Sequence, residues 1–126
     1  MNAEAVQWLH YAVENLRTAE LCLENELYNP CIQNAQQSIE KALKALCLSV
    51  PIALRKTHSI EGLRNDLRGA GIECNLTDEE CFLLDSVYLP SKYPLGSVLP
   101  DFLPDRDTAE QCLLIARKAL RHLFAE

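Results

Sequence analysis

Apolar residues recur every three or four positions along most of this 126-residue chain, and that spacing commits it to helices. The pattern is clearest from about Pro30 to Ser49. There Ile32, Ala35, Ile39, Ala42, Leu43 and Leu46 fall within one arc of a helical wheel. Gln33, Gln37, Glu40, Lys41 and Lys44 fall on the other side. An earlier segment, about Asn2 to Asn25, places Leu9, Val13, Leu16, Ala19 and Leu23 on one face. Asn29-Pro30 is the turn between the two, with the proline suited to a first helical turn.

Pro51 ends the second helix, and Arg55-Lys56-Thr57-His58-Ser59 reads as a loop with several possible N-caps. A short third helix, about Ser59 to Arg68, stops at Gly69-Ala70-Gly71. Thr77 followed three residues later by Glu80 is a capping box that opens a fourth helix, expected to end near Val87. Pro90, Pro94, Pro100 and Pro104 then make Tyr88–Pro104 a long irregular connection, a kind of segment that is often functional. The last helix starts near Asp107 and carries Ala109, Leu113, Ala116, Leu120 and Leu123 on one face. No segment alternates as a strand does. The expected fold class is all-α: an antiparallel, up-and-down bundle of about five helices, one of them short, forming a single domain over 1–126.

The chain is long enough for one domain and buries roughly two-thirds of its unfolded surface, so it needs no metal or disulfide staple. Its net charge of −6 argues against broad binding to nucleic acid or anionic lipid. The positive stretch is residues 51–71, where Arg55, Lys56, Arg64 and Arg68 face only Glu61 and Asp66. The six cysteines show no C-x-x-C spacing and read as small apolar fillers. No secretion signal or membrane span is apparent, so a cytoplasmic location is expected. Three scattered histidines suggest no metal site, and no P-loop, Rossmann or nucleophile-elbow pattern occurs.

Several residues combine charge with a useful position. Glu40 and Lys44, one turn apart, form either a surface ion pair or a carboxylate and an ammonium lining a cleft, with Gln33 and Gln37 on the same side. Lys56, Thr57 and His58 lie where a loop meets a helix N-terminus. Free backbone N–H groups there would favour an anion; simple capping is the other reading. Lys92 and Tyr93 lie in the proline-rich connection; Tyr93 either stacks on a base or anchors the loop. Together these place the hydrophilic stripe of positions 33–44 beside an open crevice next to that connection. Arg117 and His122 spell R-x(4)-H, but within one straight helix their side chains stand roughly 140° apart and cannot converge.

The run Tyr28–Leu46, YNPCIQNAQQSIEKALKAL, resembles the signature helix of HEPN domains (higher eukaryotes and prokaryotes nucleotide-binding). Trp8 and Ala12 early in the first helix, Lys56-Thr57-His58 before a short helix, and Leu89-Pro90-Ser91-Lys92-Tyr93-Pro94 follow in family order. The family usually has Arg where Lys92 stands, and lysine lacks the bidentate fork that suits phosphate. The resemblance implies a homodimeric helical bundle, often working with a minimal nucleotidyltransferase as a toxin–antitoxin module. The family also resembles the C-terminal helical domain of kanamycin nucleotidyltransferase, where a Glu and a Lys one turn apart act. The expected function is non-catalytic, with weak nucleotide or phosphate binding at Gln37, Glu40, Lys44, Lys56, His58, Lys92 and Tyr93, and no catalytic or metal residues. No cofactor is expected beyond a nucleotide ligand such as ATP; RNA is a less favoured ligand. The alternatives are a metal-independent ribonuclease toxin and an interaction module with a degenerate site.

Overall fold

The computed structural model of the chain describes residues 2–92 and 104–124, with the side chains at 89–92 and 124 outside the description. Five helices form: α1 (Ala3–Glu24), α2 (Tyr28–Cys47), α3 (Ile60–Gly69), α4 (Asp78–Lys92) and α5 (Arg106–Phe124). No strand occurs among the described residues.

Local chemistry sets most of the boundaries. Asn2 caps α1 by accepting from the Ala5 N–H at 2.8 Å, and Asp105 does the same for α5 from Thr108 at 2.9 Å. The capping box at α4 closes in both directions: the Thr77 N–H donates to Glu80 at 2.9 Å, and the Glu80 N–H to Thr77 at 3.1 Å. Gly71, at φ +85, supplies the left-handed residue that ends α3, with the Ile72 N–H donating to the Leu67 carbonyl at 2.9 Å. At the end of α1 the same left-handed position falls to Glu26, at φ 58.

Two expectations change. α4 continues through Pro90 to Lys92 rather than ending near Val87. A proline this close to a helix end removes one N–H and leaves the earlier turns intact. On α1, Ala5, Ala12 and Ala19 are fully buried, whereas Val13 is 43% exposed. Alanines seven residues apart form a line of small side chains that lets a neighbouring helix approach closely. The larger Leu9, Leu16 and Leu23 flank that line and are only partly buried.

α1 and α2 are antiparallel, since Trp8 meets Lys44 and Asn15 meets Asn34. α3 and α4 are antiparallel as well, with Ile60 near Asp85 and Arg64 near Asp78. α2 packs against α1, α3, α4 and α5. Ile32, Ile39 and Leu43 on α2 meet a core that includes Leu63, Leu67, Leu84 and Leu113. A helix surrounded on four sides buries more than its apolar arc. Gln36, Ser38, Glu40 and Lys44 are therefore buried too; of the hydrophilic stripe, Glu40 and Lys44 are no surface pair, while Gln33, Gln37 and Lys41 are half-buried.

Candidate functional site

Burying Glu40 and Lys44 demands partners, because an unpaired charge removed from water costs several kcal/mol, roughly. They pair with each other, Lys44 Nζ to Glu40 Oε2 at 3.1 Å. The other carboxylate oxygen lies 3.0 Å from His58 Nδ1. Gln36 completes the group, donating from Nε2 to the His58 carbonyl at 3.3 Å and, more distantly, to Glu40 Oε1 at 3.5 Å. Lys44 also lies over the Trp8 ring of α1, 5.5 Å from its centroid. One turn along the same seam, Lys41 lies over Tyr11 at 5.6 Å and donates to Asn15 at 2.8 Å.

The loop that carries His58 is tied down at several points. Arg55 donates to Asp66 of α3 at 2.8 Å. Thr57 Oγ1 accepts from the Ser59 N–H at 3.1 Å. The His58 ring stacks on Tyr88 of α4, with centroids 4.8 Å apart and planes inclined by 19°. The start of α3 is occupied: Asp85 accepts from the Ile60 N–H at 2.7 Å and the Glu61 N–H at 3.2 Å, and Ser59 Oγ accepts from Gly62 at 3.0 Å. Of the two readings of this helix end, capping is the one the structure shows, with an internal carboxylate already where an external anion would bind.

Between α1, α2 and this loop lies a pocket of about 330 Å³, lined by Trp8, Lys44, Leu54, Arg55, Lys56, Thr57 and His58. Its size suits a small ligand, and its wall combines an aromatic ring with several cationic groups. Of the four cations in residues 51–71, Arg64 pairs with Asp78, Arg68 with Glu73 and Arg55 with Asp66. Among the described residues Lys56 has no acidic partner; it is exposed at the pocket's edge. Two other depressions are mainly apolar. One, on the outer face of α1, is lined by Val6, Leu9 and Val13 among others. The second, between α4 and α5, is lined by Leu83, Leu114 and Ile115 with Glu79 and Glu80 at its edge.

The structure thus brings Lys44, Lys56 and His58 to one pocket, with Glu40 directly behind. Gln37 is half-buried on α2 and does not line it. Lys92 is the last residue of α4 with its side chain outside the description, and Tyr93 lies outside the described residues altogether. Of positions 33–44 only Lys44 lines this pocket, which is walled by the 54–58 loop; the proline-rich connection expected beside the stripe lies largely outside the described residues. Trp8, Arg55, Gln36 and Tyr88 belong to the arrangement and were missed as site residues. Trp8, as the chain's single tryptophan, and Arg55, next to Lys56, carried a signal; Gln36 and Tyr88 carried none. Arg117 and His122 diverge, Arg117 to Glu20 at 2.9 Å and His122 to the Glu73 carbonyl at 3.2 Å. No group of three or more metal-ligating side chains occurs among the described residues. No helix there is long and apolar enough to cross a membrane.

The fold and pocket define a class: an all-helical domain built round a central helix with a buried carboxylate–lysine pair. The HEPN domain model matches residues 5–123, and the chain belongs to the HEPN family. It is similar to TT1696 from Thermus thermophilus, known from a crystal structure, at 32% identity and a TM-score of 0.76, covering 98% of this chain and 97% of that one. It is also similar to ST0689, an archaeal HEPN homologue, at 25% identity and a TM-score of 0.70, covering 94% and 93%. No curated protein matches at a significant level.

Proposed function

We propose that this HEPN-domain protein is non-catalytic and binds a nucleotide weakly through its phosphates. Its site is the pocket between α2 and the 54–58 loop, and it acts beside a minimal nucleotidyltransferase in a toxin–antitoxin type module. The observation that carries the reading is Lys56, a cation without an acidic partner among the described residues, at the edge of a pocket shared with Lys44, Arg55 and His58. Lysine and arginine offer only donors, which suits phosphate oxygens. Trp8, which also lines the pocket, offers an aromatic ring for a base. Lys44 and Arg55 are already shared with Glu40 and Asp66, which keeps the affinity modest. Calorimetry with ATP tests the reading: Lys56→Ala should weaken binding about tenfold, in the range of one charge-assisted hydrogen bond. No heat of binding to the wild-type chain would remove it, and co-purification with the transferase would then favour a pure interaction module.

The same reading includes a homodimer. Val6, Val13 and Leu21 recur along the outer face of α1 at 40%, 43% and 58% exposure, although α1 is already buried on its alanine side. Sedimentation should give a dimer mass for the wild type and a monomer mass for Val13→Glu.

A further inference from the structure

His58 is held more firmly than an exposed loop histidine needs to be. Nδ1 meets Glu40, the ring stacks on Tyr88, and the backbone carbonyl accepts from Gln36. A carboxylate oxygen only accepts, so in the neutral ring Glu40 places the proton on Nδ1. Nε2 then carries a lone pair. It lies on the opposite edge of a side chain that is 58% exposed, and no protein group bonds to it among the described residues. The ring cannot turn this edge away without losing Glu40, and the stack on Tyr88 holds its plane. The charged side chains that share the pocket, Lys44, Arg55 and Lys56, are donors without an acceptor. Thr57 Oγ1 accepts from the Ser59 N–H, which leaves its O–H as a further donor. His58 is therefore a fixed acceptor in a wall of donors.

We infer that His58 is a specificity-determining residue that reads a hydroxyl next to the phosphate of the bound ligand. The ligand's O–H donates to Nε2 while its phosphate oxygens take the lysine and arginine donors. A phosphorylated sugar satisfies both requirements at once, whereas a phosphate lacking the hydroxyl leaves Nε2 without a partner. Glu40 is the positioning residue, since it fixes the tautomer and the ring. The inference rests on the nucleotide-binding reading above and names the part of the nucleotide that is recognised, a ribose hydroxyl.

The experiment is calorimetry on the full chain at pH 8 with ATP, 2′-deoxy-ATP and 3′-deoxy-ATP. The wild type should bind one deoxy analogue about five- to tenfold more weakly than ATP, the cost of one hydrogen bond. His58→Phe keeps a ring to stack on Tyr88 but has no acceptor, and should bind all three alike. Nitrogen NMR of the wild-type imidazole gives a readout that needs no variant. The His58 Nε2 resonance should move with ATP and stay in place with the discriminated analogue. Equal affinity of the wild type for all three nucleotides, or discrimination that survives in His58→Phe, overturns the inference and leaves phosphate binding standing. Failure of all three to bind the wild type removes the underlying reading and this one with it.

Discussion

Two clusters of buried charge lie within this bundle, and they end differently. Arg64 on α3 is 3% exposed and closely satisfied. It bonds to Asp78 at 2.7 Å, to the Leu76 carbonyl at 3.1 Å, and to Asn65 at 3.1 and 3.2 Å. Burial, the largest single influence, would lower the Arg64 guanidinium, but the hydrogen bond to Asp78 and the acidic groups around it, Asp78 and Glu61 among them, together hold the group above its ordinary value. Its bonds link α3 to the segment that opens α4 and point into no pocket described above. In the other cluster Glu40 and Lys44 are 6% and 8% exposed and also paired, yet the chain of contacts reaches His58 and stops at an open edge. Burial of charge is common to both. What separates them is unsatisfied hydrogen-bonding capacity next to open volume, and only the second cluster has it.

The largest expected effect falls on the saturated cluster. Arg64→Ala leaves the Leu76 carbonyl without its donor and opens a cavity, and should cost about 2–4 kcal/mol in a urea melt. ATP affinity per folded molecule should stay unchanged; a loss of binding would erase the distinction between the clusters. Glu40→Gln should cost about 1–3 kcal/mol, because Lys44 stays buried against a neutral partner. Unlike Arg64→Ala, it should also alter the His58 imidazole signals, since the group that fixes the tautomer is gone.

A smaller effect comes from the half-exposed pair of Glu80 and Lys118, 2.6 Å apart. Burial works to raise the Glu80 carboxyl, but hydrogen bonds from Lys118 and the Thr77 backbone hold it below its ordinary value. The stability it contributes is present above that ordinary value and fades as pH falls through the depressed one. Glu80→Gln should flatten this acid-side loss, by less than about 1 kcal/mol given the solvent exposure. The smallest perturbation is chemical labelling at pH 8. Burial pushes the Cys31, Cys74 and Cys81 thiols up to about 11 and Cys112 to about 12, and raises Cys47 as well. Cys22 is the one cysteine that is not fully buried. A thiol reagent should therefore react quickly with one cysteine per folded chain, and peptide mapping should find the label at Cys22.

Most of the fold was legible in the sequence because caps and periodicity are local. Asn2, Ser59, Thr77 with Glu80, and Gly71 all act within a few residues of themselves. The buried side of α1 was not legible, because leucine and valine outweigh alanine in any hydrophobic count while close helix packing favours the smaller residue. Nor could the count show that α2 would be surrounded, which is what buries Glu40 and Lys44. In the site, Lys44, Lys56 and His58 stood out by type and order. Asp85 did not, because nothing local links a residue on α4 to the first turn of α3 across 25 positions.

Asp85 and Tyr88 sit three residues apart on α4, so both project from one flank of a single rod. One grips the opening turn of α3 and the other braces the imidazole. Any force that slides or rolls this rod must drag the histidine-bearing strap with it. The pocket's outer wall is thereby geared to the position of α4.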